Sequence, residues 1–322
     1  MKTPYFLSML ALASVMPGGH VQAQYPERPI TMVVPFAPGG GSDTLSRLVA
    51  QKVAEQQGAS LVVENRPGGN TTIGARYVAR AKPDGYTVLT AIDATMLFNP
   101  VLYKELSYEP SGDFDPVAMA TYMPLVLSVA PDSSIQTVGQ WIESLKKGQT
   151  DYAMYAHGAM PGRIAMEIIT RSAGITLTPV PFNGSTPALQ AVLGGHVPVL
   201  IDALAPSLPH LKADKLRPLI VTTQARTPIL PNVPAAGEAG FSGVDLASWT
   251  GFFVPAGTDP AKRQWLEDAF VQALSDPDLV SKLRQLGMDV TIKRGAEFQQ
   301  QIDRDGVRYK QVITDAGLAG TM

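Results

Sequence analysis

The sequence predicts an α/β protein of two domains with parallel, doubly wound sheets. Strand-like apolar runs alternate with segments of helical spacing along most of the chain. The 322 residues exceed what one domain of about 150 residues needs. Apolar residues make up 45% of the chain and charged residues 17%, which is typical of a folded protein and not of a disordered one.

Residues 1–23 are predicted to be a cleaved export signal. Lys2 supplies a positive start, and residues 5–16 form an apolar stretch shorter than the roughly 20 residues that span a bilayer. The segment ending at Ala23 resembles a signal-peptidase cleavage site. We therefore expect a mature chain beginning near Gln24 and located in a bacterial periplasm. The alternative is a buried N-terminal helix.

The first part of the mature chain follows a β-α-β-α-β pattern. An apolar run over residues 30–36 predicts a strand buried on both faces. Strands are also expected at residues 61–63 and 87–91, and the helices between them near residues 45–53 and 73–81. This order favours a parallel sheet with helices on its faces.

A second unit of the same kind begins near Pro124. Its predicted strands cover residues 125–130, 152–156, 197–201 and 219–223, and its predicted helices cover residues 138–147, 163–172 and 186–193. Residues 226–245 are rich in proline and glycine and predict a connecting arm. The remaining helices are expected at residues 260–274, 277–286 and 297–316.

Several classes of chemistry are excluded by composition. The chain has no cysteine, so it has no disulfide, thiol nucleophile or iron–sulfur cluster. It lacks the motifs of nucleotide-binding loops, zinc proteases and serine-hydrolase elbows. His157, His196 and His210 are not at metal-ligand spacing, and the net charge is −2 without a basic stripe. We therefore expect no metal, no cofactor and no nucleic-acid partner, although counting alone leaves a Ser-His-Asp triad open.

The first predicted strand leads into a helix through a glycine-rich loop at residues 37–43. Backbone N–H groups at such a helix start, together with the helix dipole, suit a carboxylate or another small anion. Gly40, Gly41, Ser42 and Asp43 are the predicted contacts. The alternative is a tight turn capped by Ser42, with Asp43 paired to Arg47 four residues later.

A second loop of this kind follows the second predicted strand, at residues 66–74. Gly69, Asn70, Thr71 and Thr72 are the predicted contacts, and three of them add side-chain donors. The alternative is a cluster that caps the next helix. Both loops are expected at the carboxyl edge of one sheet, where ligands of open α/β sheets bind, and this coincidence favours a shared anion site.

Short stretches along the whole mature chain carry a family resemblance. They are Tyr25-Pro26, Pro29-Ile30, Val34-Pro35-Phe36, Pro38-Gly39-Gly40, Asp43, Val63 to Gly68, Lys82 to Thr87, Pro181-Phe182, Gly184-Ser185, Gly194-Gly195, Leu230-Pro231, Val233-Pro234, Glu238-Ala239-Gly240, Trp249, Gly251 and Val254 to Thr258. In this order and spacing, the chain resembles the Bug (TctC-like) solute-binding proteins of tripartite tricarboxylate transporters.

The resemblance implies a two-lobed periplasmic-binding fold of type II, each lobe a doubly wound sheet, closing on a small carboxylate. The first lobe would hold residues 24–124 plus 250–322, and the second residues 125–249. Backbone amides, hydroxyls and ordered water would hold the solute. The resemblance also implies a monomer that delivers the solute to a membrane permease and catalyses no reaction.

The second-lobe contacts that we expect lie near the ends of two predicted strands and before a predicted helix. They are Ala156, His157, Gly158, Arg163, Asn183, Ser185, Thr186 and Asp202. The family usually has a glycine-dense second loop, where this chain has Asn70 and Thr71, and a histidine where Arg163 stands. The alternatives are a structural histidine, a solvated arginine on a helix flank, helix capping by Asn183, Ser185 and Thr186, and a cap or hinge role for Asp202.

We hypothesise a dicarboxylate with one end held by the first lobe and the other by His157 and Arg163. A wall near Tyr155 would favour an aromatic diacid such as terephthalate over citrate, tartrate or short aliphatic diacids. One alternative function is a periplasmic hydrolase or isomerase with His157 as general base. Another is a binding protein that reports its solute to a membrane sensor.

Overall fold

A computed structural model describes residues 25–241 and 244–322. The predicted export signal and its cleavage site near Ala23 lie outside these ranges. The strands are β1 (Ile30–Val34), β2 (Leu61–Asn65), β3 (Thr87–Ile92), β4 (Phe114–Val129), β5 (Met154–His157), β6 (Thr178–Pro181), β7 (Val199–Ala203), β8 (Arg217–Val221), β9 (Ala247–Pro255) and β10 (Val290–Arg294).

The helices lie between and after these strands. They are α1 (Gly41–Gln57), α2 (Thr72–Ala79), α3 (Asn99–Leu102), α4 (Pro110–Asp113), α5 (Val138–Lys146), α6 (Met160–Ala173), α7 (Ser185–Leu193), α8 (Leu204–Lys212), α9 (Pro260–Leu274), α10 (Pro277–Gln285) and α11 (Gly295–Asp315). A π-helical turn, Ala94–Phe98, precedes α3. Within the described ranges, no helix combines the length and the apolarity needed to cross a bilayer.

The first sheet contains the predicted β-α-β-α-β unit. Strand β1 pairs in parallel with β2 on one side and with β3 on the other. Its residues Ile30, Met32, Val33 and Val34 are fully buried, as expected of a strand covered by helices on both faces. Strand β9 continues this sheet antiparallel to β3, and β4 follows β9.

Strand β4 belongs to both sheets and, at 16 residues, is more than twice as long as predicted. Its first part pairs with β9 from Phe114 to Pro124, and with β10. Its last part, from Leu125 to Val129, pairs with β7 and β8. The sequence predicted only the second part, because Pro116 and Pro124 argue against a central strand. The ladder accommodates Pro116 at a register shift.

The second sheet is built on three parallel strands, with β5 between β6 and β7. Antiparallel β4 lies beside β7 and also pairs with β8. Strand β6 was not predicted. It is an edge strand that contains Pro179 and Pro181, and proline at such an edge costs few ladder hydrogen bonds. The two sheets and their helices confirm the predicted two-lobed α/β fold.

Two connections join the lobes. One lies within β4, where Pro124 pairs with Ala247 in the first sheet and the next residue, Leu125, pairs with Ala203 in the second. The other lies between β8 of the second sheet and β9 of the first. Buried Thr222 ties these connections together: its backbone N–H donates to Leu125 O at 3.0 Å, and its hydroxyl donates to Leu246 O. We propose lobe boundaries at these crossings, so residues 247–249 belong with the first sheet.

Candidate functional site

Three strand ends meet at one edge of the first sheet. Strands β1, β2 and β3 are parallel neighbours, so their carboxyl ends point the same way. The two glycine-rich loops follow β1 and β2 and start α1 and α2. The third end carries Asp93, which caps the π-helical turn by accepting from Ala94 N at 2.8 Å. This edge is where an open α/β sheet binds its ligand.

The first loop is organised around the carboxylate of Asp43. Its Oδ2 accepts from Gly39 N at 2.9 Å and from Arg47 Nε at 3.0 Å, and its Oδ1 accepts from Asn65 Nδ2 at 2.8 Å. Asp43 is 3% exposed. Burial raises the pKa of this carboxyl, but the hydrogen bonds from Arg47, Gly39 and Asn65 outweigh it and lower the pKa overall.

The hydrogen bonds of Asp43 indicate which groups hold the first loop in shape and which remain free for a solute. Both Asp43 oxygens are engaged by the protein, so we expect this side chain to hold the loop in shape and not to contact a solute. Gly40 is the N-cap of α1, and Gly41 and Ser42 open its first turn, where backbone N–H groups lack an intrahelical acceptor. The predicted anion contacts therefore reduce to Gly40, Gly41 and Ser42.

The second loop has an unusual backbone. Gly68, Gly69, Asn70 and Thr71 all have positive φ, at 119°, 56°, 48° and 75°. Positive φ is uncommon for asparagine and strained for β-branched threonine. Four such residues in a row turn the chain sharply before α2 begins at Thr72.

A network from the π-helical turn and α3 holds this strained loop. Thr95 Oγ1 donates to Thr71 Oγ1 at 2.9 Å, and Asn70 Nδ2 donates to Asn99 Oδ1 at 2.8 Å. Asn99 Nδ2 returns a bond to Asn70 O at 2.9 Å, and Tyr103 OH donates to Gly69 O at 3.2 Å. The side chains of Asn70 and Thr71, predicted as solute donors, are thus engaged by the protein. Backbone N–H groups of the loop remain the candidates.

Asp93 is a feature of this edge that sequence reasoning missed. It is 1% exposed and accepts from the Ser248 hydroxyl at 2.8 Å. Burial raises its pKa to about 7, against the hydrogen bonds from Ser248 and Ala94. Its position two residues after a predicted strand was the available signal. Asp93 links the third strand end to β9, next to the lobe connection.

In the second lobe, the ends of β5, β6 and β7 form the corresponding edge. Gly158 follows β5, and a Cβ placed on it would lie 2.5 Å from Gly184 C and 2.6 Å from Ser185 N. The turn before α7 therefore packs directly on the β5 end. Predicted contacts Asn183 and Thr186 are exposed beside this turn, whereas Ala156 is fully buried inside the sheet, so we expect no direct solute contact from Ala156.

His157 ends β5 and is 4% exposed. Its Nδ1 lies 3.2 Å from Ala159 O, and among the described residues its buried Nε2 has no hydrogen-bond partner. Burial, together with the nearby Arg163 charge, lowers its pKa to about 4, against the bond to Ala159. His157 is therefore neutral at pH 7.

Arg163 lies in the first turns of α6 and pairs with Glu167, at 3.3 Å from Nη2 to Oε1. Their side chains are 28% and 24% exposed, so a solute carboxylate has access to this pair. Tyr155 is 2% exposed and packs in the core. Its burial adds no support for the expected aromatic wall near Tyr155, which stays a prediction.

Asp202 lies at the end of β7 and is 4% exposed. Its Oδ1 accepts from Ala203 N at 2.8 Å, and its buried Oδ2 has no hydrogen-bond partner in residues 25–241 and 244–322. Burial raises its pKa to about 6, although the neighbouring Ser185 hydroxyl favours the ionised form. The predicted residues His157, Gly158, Ser185 and Asp202 thus share one sheet edge.

Helix α6 of the second lobe touches the π-helical turn and α11 of the first lobe. Arg171 at its far end donates to the carbonyl of Asp315. In the part of the chain that the structure describes, no cluster of three or more His, Asp or Glu side chains is arranged to hold a metal ion. The first-lobe edge thus offers backbone amide donors, whereas the second-lobe edge offers histidine, arginine and carboxyl side chains.

Comparison with known proteins agrees with this geometry. A family model described as "Tripartite tricarboxylate transporter family receptor" matches residues 45–318. A UPF0065 protein of Bordetella bronchiseptica is 34% identical over 312 residues, covering 97% of this chain and 92% of the relative.

Solved structures extend the comparison to the fold. A protein of R. palustris solved with adipate is 32% identical, with a TM-score of 0.87 over 92% of this chain and 99% of that one. MatC of Rhodopseudomonas palustris, solved with bound malate, is 31% identical, with a TM-score of 0.83 over 90% of this chain and 100% of that one.

Proposed function

The chain belongs to the tripartite tricarboxylate transporter receptor (TctC) family, and we propose that it captures a small carboxylate in the periplasm. The solute would bind between the two lobes and be delivered to the membrane permease of the same transport system. The observation that carries the proposal is the pair of glycine-rich loops at one sheet edge, each leading into a helix start.

The chemistry of these loops suits a carboxylate. Helix starts present N–H groups without intrahelical acceptors, and the helix dipole adds positive potential at the same place. Asp43, the acidic residue of the first loop, is neutralised by Arg47 at 2.9 Å. Its charge therefore opposes an anion less than an unpaired carboxylate would, and backbone donors dominate the first-lobe edge.

The finer proposal is a dicarboxylate. Adipate and malate, present in the two R. palustris structures, each carry two carboxylates. In this chain Arg163 supplies a cation at the second edge. A solute carboxylate would either replace Glu167 as the partner of Arg163 or bind the guanidinium together with Glu167. Aliphatic diacids lead this proposal. Terephthalate stays as a competing solute, without the support that an exposed Tyr155 would have added.

Titration calorimetry of the purified protein tests the proposal. The panel contains aliphatic mono-, di- and tricarboxylates together with benzoate, phthalate and terephthalate. We expect one diacid to bind at least tenfold more tightly than the monoacid of equal length. Binding by none of the acids would overturn the carboxylate proposal, and equal binding of mono- and diacids would overturn the second carboxylate.

Delivery and closure need separate measurements. A solute that contacts both lobes favours the closed state only through contacts absent from the open one. We therefore expect the radius of gyration in small-angle scattering to fall on addition of the bound acid. Uptake of that labelled acid by cells should fall when the gene is deleted. An unchanged uptake would point to the sensory alternative.

The enzymatic alternative has a direct test. His157 was its candidate base, and a pKa of about 4 makes this imidazole a weak base at neutral pH. We expect the NMR spectrum of the bound acid to remain unchanged after prolonged incubation with protein. Appearance of a product would contradict the binding-only proposal.

A further inference from the structure

The buried carboxyl of Asp93 connects the solute edge of the first lobe to the crossing between the lobes. It follows β3 directly and is 1% exposed. On one side it begins the π-helical turn, in which Thr95 donates to Thr71 of the second loop at 2.9 Å. On the other side it accepts from the hydroxyl of Ser248 in β9 at 2.8 Å. A change of charge on Asp93 therefore acts on the loop and on the crossing together.

The chain segment that crosses between β8 and β9 is held at two points by first-lobe elements. Arg308 of α11 pairs with the Asp245 carboxylate at 3.3 Å, and its Nη2 also donates to Asp245 O at 2.7 Å. Three residues later, Ser248 donates to Asp93. The guanidinium of Arg308 is thus already paired with Asp245, so it compensates the charge of Asp93 only in part.

A second buried carboxyl lies in the same cluster. Asp305 of α11 is 6% exposed, and within the described residues its Oδ2 has no hydrogen-bond partner. The charge of Asp305 disfavours the ionised form of Asp93, whereas that of Arg308 favours it. Tyr122 of β4 and Tyr309 of α11 also interact with Asp93. Burial raises the pKa of both tyrosines, so neither ionises near pH 7.

A bound solute adds another negative charge at this edge. Burial raises the pKa of Asp93 to about 7, against the hydrogen bonds from Ser248 and Ala94, so the free protein holds both forms at neutral pH. A carboxylate on the first-lobe loops repels ionised Asp93 more than protonated Asp93. Coupling between two bound species is reciprocal, so a proton on Asp93 strengthens solute binding by the same factor by which the solute strengthens proton binding.

We propose that Asp93 is a positioning residue that couples solute capture to the uptake of a proton. The proposal rests on the proposed carboxylate function and adds a pH dependence to it. Ser248 and Ala94 both donate to Oδ1 of Asp93, so Oδ2 can carry the proton while these bonds and the shape they hold are kept. Solute affinity is therefore highest when Asp93 is protonated in the free protein, and falls as the pH rises and that proton is lost.

Calorimetry with adipate and malate measures the proton directly. Each acid is titrated at pH 7 in two buffers that differ in ionisation enthalpy, and the difference between the observed heats gives the protons taken up per solute. Because Asp93 is about half protonated in the free protein at this pH, we expect an uptake of up to about 0.5 proton. We also expect the affinity to fall about threefold or more between pH 6.5 and pH 8.5.

Variants connect the proton to Asp93. Asp93→Asn imitates the protonated carboxyl and retains an acceptor for Ser248, so it should take up no proton and should bind at pH 8.5 about as tightly as the unaltered protein binds at pH 6.5. Ser248→Ala removes a donor that favours the ionised form and should move the fall in affinity to higher pH. Exposed Asp132→Asn is the matched control and should keep both the uptake and the pH dependence.

The outcomes separate this proposal from the proposed function. Binding of adipate or malate without proton uptake overturns the coupling and leaves the carboxylate function standing. Uptake that persists in Asp93→Asn and disappears in Asp202→Asn overturns it as well, because the proton then belongs to the second-lobe carboxyl. If neither acid binds, the diacid function is wrong and the coupling fails with it.

A purely structural role for Asp93 gives a different result. A folded Asp93→Asn that binds more weakly than the unaltered protein at every pH would show that role and overturn the coupling. Circular dichroism melting verifies that each variant is folded. If Asp93→Asn does not fold, the Ser248→Ala variant decides: an unshifted pH dependence there would refute the assignment of the proton to Asp93.

Discussion

Asp43→Ala tests whether one buried carboxylate organises the first binding loop. The substitution removes an acceptor from Gly39 N, Arg47 and Asn65. The Asn65 amide also donates to Phe36 O at 3.0 Å, so the loss reaches both ends of the loop. We expect lower stability and weaker binding together, because the same bonds set the loop shape and the direction of its N–H groups.

The size of the effect follows from the bonds. A hydrogen bond to a charged group contributes about 1.5–3 kcal/mol when buried. The Arg47 side chain is 51% exposed, so its ion pair deserves only about 0.2–1 kcal/mol after solvent screening. The Gly39 and Asn65 bonds carry most of the remainder. We expect a free energy of unfolding lower by about 2–4 kcal/mol.

Protonation of Asp43 should reproduce part of the stability loss expected for Asp43→Ala. The pKa of Asp43 is lower in the folded protein than its usual value, so ionised Asp43 stabilises the fold above the unfolded pKa of about 3.9. This contribution is lost as the pH falls through the still lower folded pKa. The stability difference between the unaltered protein and Asp43→Ala should therefore shrink at acidic pH.

Urea unfolding followed by circular dichroism, at pH 7 and at pH 3, measures both effects. Arg47→Ala is the matched control, because it removes the ion pair and retains the bonds from Gly39 and Asn65. Its loss should be below about 1 kcal/mol. A change of less than 0.5 kcal/mol for Asp43→Ala at pH 7, about what an ordinary surface substitution gives, would refute this account of the loop. So would equal losses for the two variants.

Three further substitutions examine other parts of the molecule. Thr222→Val should lower the free energy of unfolding by about 1–3 kcal/mol in urea melts, since Leu125 N and Leu246 O lose their partner at the lobe connection; exposed Thr314→Val is the control, and equal effects would contradict the role of Thr222. Gly158→Ala should cost about 1–3 kcal/mol, because its Cβ would meet backbone atoms at 2.5 Å and 2.6 Å, whereas Gly139→Ala, with its nearest atom at 3.8 Å, should be neutral or stabilising. Arg163→Ala should weaken diacid binding by about tenfold or more and monoacid binding less, and unchanged diacid affinity in calorimetry would remove Arg163 from the site.

The fold was predictable where hydrophobic pattern decides structure. The buried run from Ile30 and the amphipathic spacing of α1 and α9 follow from local sequence, and the structure confirms them. Strands β6, β9 and β10 were not predicted, and β4 was predicted only in part. The expectation that the chain turns helical beyond Trp249 was wrong for β9 and β10. In β4 and β6, prolines violate the local strand pattern. Only the neighbouring strands show that an edge position or a register shift accommodates those prolines.

The site shows the same division between local and remote determinants. Glycine-rich turns before helices can be recognised locally, so the position of both loops was predicted. The roles of Asn70 and Thr71 were not, because their partners Asn99 and Thr95 lie 29 and 24 residues away. A polar side chain that could bind a solute has a structural role once it is hydrogen-bonded to a remote residue of the same protein.

The contrast between backbone and side-chain contacts also indicates where the protein selects among acids. On the first-lobe edge, side chains shape the loops and the backbone offers the free donors, so we expect this edge to recognise a carboxylate with little regard to the rest of the solute. On the second-lobe edge, His157, Asp202 and the Arg163–Glu167 pair present side-chain atoms. Two relatives about as similar to this chain were solved with different acids. Substitutions at the second edge should therefore change which acid binds, whereas substitutions in the first-lobe loops should weaken all acids alike.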